Sequence, residues 1–140
     1  MLAPTNAPEL SAFLKTSYKN VTGKDWDFGQ YVIGRIGPTR IVAAFASGST
    51  PPGSEKLLLD VFLLTSNVLW NFSVYSFGPV RWHIASAKQV VQVDLEVASN
   101  IVVGRILSSS GSSFTMADDL DHESDLDAFL RSVAQIVWGP

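Results

Sequence analysis

The sequence predicts a mainly β, α+β domain. A partly open antiparallel barrel of about seven or eight strands is capped by a C-terminal helix and preceded by an extra N-terminal helix. Strand-like segments follow one another almost without a break over residues 29–117. The helix after them is predicted at about 124–137, and a chain of 140 residues fits one domain spanning 1–140. Its apolar residues recur at helical spacing: Leu126, Phe129, Leu130, Val133 and Ile136.

The N-terminal helix is predicted over about residues 6–20. Asn6 followed three residues later by Glu9 has the form of a capping box, and Pro8 is tolerated in a first helical turn. Gly23 supplies a stop. One face carries the apolar residues Leu10, Phe13, Leu14 and Tyr18, so this helix is expected to pack on the barrel.

Two hairpins are predicted in the first half of the barrel. The first joins strands at 31–36 and 39–46 through Gly37-Pro38, and the second joins strands at 56–65 and 68–77 through Ser66-Asn67. The segment 47–54, rich in glycine, proline and serine, is predicted as the loop between the hairpins. The strand at 57–64 is apolar on both faces except for Asp60, which predicts a strand covered on both sides.

The second half is predicted to hold four more strands, at 81–84, 88–98, 101–107 and 114–117. The strand at 88–98 alternates most regularly between apolar and polar residues. Its apolar face, formed by Val91, Val93, Leu95 and Val97, is expected to point to the core. Its polar face, formed by Gln92, Asp94 and Glu96, is expected to point to solvent.

An acidic run at 118–127 leads into the C-terminal helix, for which Ser124 and Asp127 suggest a second capping box. Negative charge is favourable near a helix N-terminus. A calcium-binding EF-hand is excluded because Ser124 stands at the loop glycine and Leu130 at the closing glutamate. A looser site at Asp121, His122 and Asp125 competes with a simple solvated cap, and we predict no metal.

The amino-acid composition excludes or disfavours several kinds of partner and chemistry. The net charge is −3, and the ten Lys and Arg residues are scattered singly, which disfavours nucleic acid and an anionic membrane surface as partners. Cysteine is absent, which excludes disulfides and thiolate chemistry. The sequence after Met1 has neither a signal peptide nor a membrane-spanning stretch, so a cytoplasmic protein is expected. Only 16% of residues are charged, which favours an apolar surface covered by a partner, a second copy or a ligand, or a core-rich small domain.

No catalytic or cofactor-binding motif is present, so we predict a non-enzyme without a cofactor. Arg35 and Arg40 flank the predicted Gly37-Pro38 turn, where two guanidinium groups could hold an anion or could be ordinary solvated charges. Candidate pocket residues are Trp70, Trp82 and His83. Trp70 is also expected in the core. Trp138 is predicted to pack on the barrel or on a partner.

Two segments resemble a known family. Residues 63–70, LLTSNVLW, resemble the L-T-N-x-R-L strand pair of bacterial pleckstrin-homology-like domains, and residues 84–91, IASAKQVV, resemble their I-P-L-x-x-I-x-x-V segment. Val68 stands where that family often has Arg, and Ala85 where it often has Pro. The basic signature of phosphoinositide-binding members is missing, so lipid binding is not carried over. The resemblance implies a helix-capped, partly open barrel that serves as a binding or interaction module.

The function predicted from the sequence is a non-catalytic protein-interaction or ligand-binding module that self-associates, with a protein partner or a second copy as the bound species. Two alternatives remain open at this point. One is a small acidic secretion-type chaperone, which usually carries a helix between its strands. The other is a barrel that binds a small molecule, or a cryptic enzyme, with a pocket at Trp70, Trp82 and His83.

Overall fold

The computed structural model describes residues 1–48, 57–76 and 80–139. Three helices are present in this part of the chain: α1 (Ala7–Thr22), α2 (Phe28–Ile36) and α3 (Glu123–Trp138). Two short 3₁₀ turns, Ala87–Gln89 and Leu120–His122, lie between longer elements. The seven strands are β1 (Ile41–Ser47), β2 (Leu57–Thr65), β3 (Val68–Tyr75), β4 (Val80–Ser86), β5 (Val90–Val97), β6 (Ile101–Ser108) and β7 (Ser113–Asp119).

The strands form two antiparallel sheets. The first has the order β1-β2-β3-β4, and the second has the order β5-β6-β7. No strand ladder joins the two sheets among the described residues, so they do not close into a continuous barrel. The prediction of a mainly antiparallel α+β domain with terminal helices is confirmed. Most of the predicted loop at 47–54 lies outside the described residues.

The first predicted strand, at 31–36, is wrong: these residues belong to helix α2. The side chain of Asp27 accepts a hydrogen bond from the Gln30 backbone N–H and caps the helix. Its buried residues Phe28, Val32 and Ile36 recur at a spacing of four, which is a helical rather than a strand period. Gly37 is therefore a helix C-cap in the left-handed φ region, not part of a hairpin.

Helices α1 and α2 pack on each other and cover the outer face of the four-stranded sheet. The Asn6 side chain accepts from the Glu9 N–H, as the predicted cap requires. A Cβ at Gly29 would lie 1.9 Å from the Ser11 carbonyl oxygen, so the two helices meet where only glycine fits. Their buried apolar residues join those of the sheet in one cluster that includes Leu10, Leu14, Phe28, Val32, Val61, Leu63 and Phe72.

Helix α3 lies between the inner faces of the two sheets. Its buried residues Leu126, Phe129, Leu130 and Val133 share a core with side chains from β1, β2, β3, β6 and β7. A Cβ at Gly104 on β6 would lie 3.1 Å from Leu130, so a glycine there lets the helix approach the sheet closely. The predicted Ser124–Asp127 cap is wrong. The 3₁₀ turn runs straight into the helix, which begins after His122 without a side-chain capping bond.

The chain itself runs along the β1 edge and contacts the β7 edge at one carbonyl. Residues 1–3 run beside β1: Ala3 N–H donates to Ala44 O, and Ala46 N–H donates to Met1 O. At β7, the Ser47 hydroxyl donates to Ala117 O. These contacts satisfy backbone groups that would otherwise be open to another strand.

Candidate interaction surface

Strands β4 and β5 form the two other sheet edges. Within the described residues, β4 pairs only with β3, and β5 pairs only with β6. Large apolar side chains are exposed on both strands: Trp82 is 41% and Ile84 is 49% exposed on β4, whereas Val91 is 55% and Val97 is 52% exposed on β5. An edge strand with exposed apolar side chains is a template for strand addition. We call β4 and β5 the bare edges.

The prediction that the apolar face of β5 points to the core is correct only in part. Val93 is half-buried against the core that contains helix α3, whereas Leu95 is exposed together with Val91 and Val97. A β-bulge between Val90 and Gln92 shifts the register at the start of the strand. The alternation of apolar and polar residues therefore identifies the two faces of β5 correctly. Other parts of the chain, however, bury little of either face.

An aromatic surface extends over the outer face of the four-stranded sheet where the helices end. Trp70, Phe72 and Trp82 lie together, with ring centroids 5.9–6.2 Å apart. Tyr31 of α2 meets Phe72 edge-on at 6.5 Å and contacts Trp26 at 5.2 Å. Because Trp82 and Trp26 are both more than two-fifths exposed, this ring system reaches solvent at two places.

The structure brings three of the predicted ligand residues onto this aromatic surface and leaves two elsewhere. The Arg35 guanidinium lies 5.1 Å from the centre of the Tyr31 ring, a cation–π contact that connects it to Trp70 and Trp82 through Phe72. Arg40 precedes β1 beyond the Gly37 cap. The two arginines thus do not flank a hairpin tip, and the geometric reason for an anion clamp is gone.

His83 lies on the opposite face of β4 because neighbouring residues of a strand alternate between faces. Its ring stacks on Phe114 of β7 with centroids 4.6 Å apart. Burial lowers the pKa of His83, and a hydrogen bond with the Ser113 backbone partly opposes this effect. His83 therefore helps to hold β4 over β7 and does not share a pocket with Trp70 and Trp82.

Trp70, expected in the core, is half-buried and packs against the core cluster of the outer face, and its indole N–H donates to Thr65 Oγ1 at 2.8 Å. Trp138 is 56% exposed at the end of α3. It lines a groove of about 230 Å³ between α3 and β5, together with Val93, Leu95, Leu130 and Ala134. The exposed Trp138 extends the apolar surface of β5 onto the helix.

A buried polar network, which the sequence analysis did not propose as a site, lies on the inner face of the first sheet. Asp60 Oδ1 accepts hydrogen bonds from Asn71 Nδ2 at 2.6 Å and from the Ser73 hydroxyl at 2.7 Å. Burial raises the pKa of Asp60 to about 6, and the two hydrogen bonds reduce the effect. Asp60 is the one charged residue in a buried strand, which is the signal that could have identified this network.

A second buried carboxylate, that of Asp118, is ion-paired to the Met1 amino group. Although burial raises the pKa of Asp118, hydrogen bonds from the Met1 amino group, the Asp119 N–H and His122 together hold it below its ordinary value. Asp118, Asp119 and His122 have ligand-type atoms within 4.8 Å of one another, a different set from Asp121, His122 and Asp125, the alternative weighed from the sequence against a solvated cap. The Met1 amino group lies 2.8 Å from Asp118 Oδ2, so this cluster is compensated within the chain.

Comparison with known proteins identifies no relative: no family model, no curated protein and no solved structure matches the chain. None of the helices in the described segments is long and apolar enough to cross a membrane.

Proposed function

We propose that this protein is a non-catalytic interaction module that binds a protein partner, a second copy included, by strand addition at its bare edges. One observation carries the proposal: the edge at β1 is occupied by residues 1–3, whereas β4 and β5 end in exposed tryptophan, isoleucine and valine side chains. Backbone hydrogen bonds give affinity in this binding mode, and alternate side chains give specificity.

The order of the elements supports the likeness to pleckstrin-homology-like domains. Four antiparallel strands are followed by three more and by a C-terminal helix that packs into the core. That fold is a scaffold for recognition rather than for one chemistry, so the likeness supports an interaction role without naming the partner.

Two matched substitutions test whether binding uses the bare edges. Ile84→Asp on β4 and Leu95→Asp on β5 each place a carboxylate on an edge strand, where an added strand would bury it without a partner. Leu107→Asp is the control, because Leu107 is also exposed but lies on β6, the central strand of its sheet. We expect native mass spectrometry of protein isolated from its own host to show an associated protein mass, lost in at least one edge variant and retained in Leu107→Asp. Full association in both edge variants would contradict the proposal.

A second candidate function is the binding of a small planar or apolar molecule at the aromatic surface, favoured by the stacked rings of Trp70, Phe72 and Trp82 beside Arg35. The same spectra test this candidate. Ligand binding would be supported by a small bound mass that disappears on denaturation. Trp82→Ala protein should lack this mass, and Leu95→Asp protein should retain it. A bare polypeptide mass in the wild-type protein would argue against ligand binding.

A further inference from the structure

We propose that the partner of this chain is a second copy, and that β4 of one copy pairs antiparallel with β5 of the next. This inference rests on the proposed function and names its partner and register. The two strands differ in charge: β4 carries the Arg81 cation and the imidazole of His83, whereas β5 carries the carboxylates of Asp94 and Glu96. An acidic edge and a basic edge on one chain are complementary between copies.

Residue-by-residue matching of the two strands identifies one antiparallel register that satisfies both faces. When His83 is placed opposite Asp94, five facing pairs match apolar with apolar residues and place Arg81 and His83 opposite carboxylates; beyond them Ala85 faces Gln92 and Ser86 faces Val91. The five facing pairs are Val80–Val97, Arg81–Glu96, Trp82–Leu95, His83–Asp94 and Ile84–Val93. Directly opposed side chains share a face and stabilise a sheet when apolar meets apolar and opposite charges meet.

The contacts that these charged side chains already make within their own chain leave them free to form the facing pairs. The Arg81 guanidinium lies 5.3 Å from the Tyr75 ring centre on the exposed edge, and Glu96 bonds Arg105 of its own chain at 3.0 Å. Both partners of the Glu96–Arg105 pair are about half exposed or more, so the pair holds Glu96 only weakly. Asp94 accepts a hydrogen bond from Gln92 and keeps further acceptor capacity for His83.

Pairing of like edges is less favourable. A β5–β5 pairing centred on Asp94 or on Leu95 would place acidic residues opposite each other, and one centred on Val93 offers no ion pair. A β4–β4 pairing brings Arg81 and His83 of two copies together without an acidic residue. Of these pairings, only β4–β5 places the Arg81 cation opposite a carboxylate, that of Glu96.

Where two copies share a single β4–β5 contact the interface is heterologous, and a closed two-fold dimer would need both reciprocal contacts at once. A dimer with a single contact would keep one free β4 and one free β5, and further copies would extend it into a ring or an open chain. Blocking one edge leaves the other intact. A copy with a blocked β4 and a copy with a blocked β5 are therefore expected to form one interface. They should assemble into a dimer and into nothing larger.

The experiment mixes Ile84→Asp protein with Leu95→Asp protein and measures mass by sedimentation velocity. We expect wild-type protein to exceed a dimer as concentration rises, each variant alone to stay at the monomer mass of 15.2 kDa, and the mixture to reach twice that mass and no more. Circular dichroism of both variants checks that they fold. A Leu95→Asp monomer beside an Ile84→Asp dimer would mean β5–β5 pairing and would overturn the inference.

Cysteine cross-linking tests the register, because the chain has no cysteine of its own. Ile84→Cys and Val93→Cys proteins, mixed and oxidised, are expected to form a mixed disulfide dimer, since facing Cβ atoms lie about 4.5–5.5 Å apart. Ile84→Cys mixed with Asp94→Cys is the matched control, because residue 94 lies on the other face of the strand, and little product is expected. Equal product in both mixtures would overturn the register. Wild-type protein that does not self-associate, but binds a different protein of its host, would overturn this inference. The proposed function would still stand.

Discussion

The covered edges and the bare edges of this protein differ although they belong to the same two sheets. At β1 and β7, residues 1–3 and Ser47 supply hydrogen bonds to the outer backbone. At β4 and β5, apolar side chains reach solvent on strands that lack an outer neighbour among the described residues. Under the proposed function, the covered edge stabilises the fold and the bare edges are the ones that associate. Substitutions should therefore separate stability from association.

The largest loss of stability is expected where helices α1 and α2 meet. Gly29→Ala places a Cβ against the Ser11 carbonyl, and backbone cannot yield as a flexible side chain does. We expect the free energy of unfolding, measured by urea denaturation, to fall by about 3 kcal/mol or more. Gly34→Ala is the matched control on the same helix. Nothing lies within 4 Å of its added Cβ, so a gain of up to about 1 kcal/mol is expected. Similar losses in both variants would show that the close contact of α1 with α2 is not the cause.

The next effect concerns Asp60 and depends on pH. The pKa of Asp60 is raised from 3.8 to about 6, so the folded protein binds this proton more tightly than the unfolded chain. Stability from this group is therefore fully present below about pH 4 and is lost as pH rises through about 6. Because one pKa unit corresponds to about 1.4 kcal/mol, ionised Asp60 costs about 3 kcal/mol. Asp60→Asn should remove this decline and raise stability near neutral pH; an unchanged pH profile would contradict the account.

The pKa of Asp118 is shifted in the opposite direction from that of Asp60, so the two residues should have opposite effects on the pH dependence of stability. The pKa of Asp118 is lowered, so its contribution is present above the pKa of the unfolded chain and is lost as pH falls through the folded value. We expect Asp118→Asn to destabilise the protein near neutral pH and to have little effect in strong acid, in urea denaturations at several pH values. A loss that is equally large in acid would show that packing, not charge, is responsible.

The smallest effect on stability is expected from substitutions at the bare edges. Ile84→Asp should change the free energy of unfolding of the isolated monomer by about 0.5 kcal/mol or less, as surface substitutions usually do. Its effect on association should be large. Val42→Asp on β1 is the control, since Val42 is exposed but its strand edge is covered by residues 1–3. Association lost in Val42→Asp but kept in Ile84→Asp would reverse the assignment of covered and bare edges.

Sequence reasoning predicted most of the fold because strands β2 to β7 carry apolar runs or alternation between turn residues. It missed α2, whose nine residues, FGQYVIGRI, are rich in β-branched and aromatic types. The Asp27 cap and the close packing of Gly29 on Ser11 determine the helix, and the second of these is a long-range contact. Local propensity alone could not show it.

The candidate surface was predicted less well, for a different reason. Alternation in β5 shows that its two faces differ, but strand order decides whether anything covers the apolar one. Arg35, Trp70 and Trp82 were chosen one by one, and their common surface depends on Tyr31, which was expected in a strand. His83 was grouped with them by sequence proximity, although alternation along β4 puts it on the other face.

Hydrogen–deuterium exchange of the wild-type protein at low and high concentration tests the central claim most directly. Slow exchange reports amides that are hydrogen-bonded, so it separates edges covered by the chain from edges covered by another copy. The account predicts that the Ala46 amide of β1, which donates to Met1 O, is protected at both concentrations, and that β4 and β5 both gain protection at high concentration. Protection of β4 and β5 that does not depend on concentration, in a protein that stays monomeric, would contradict it.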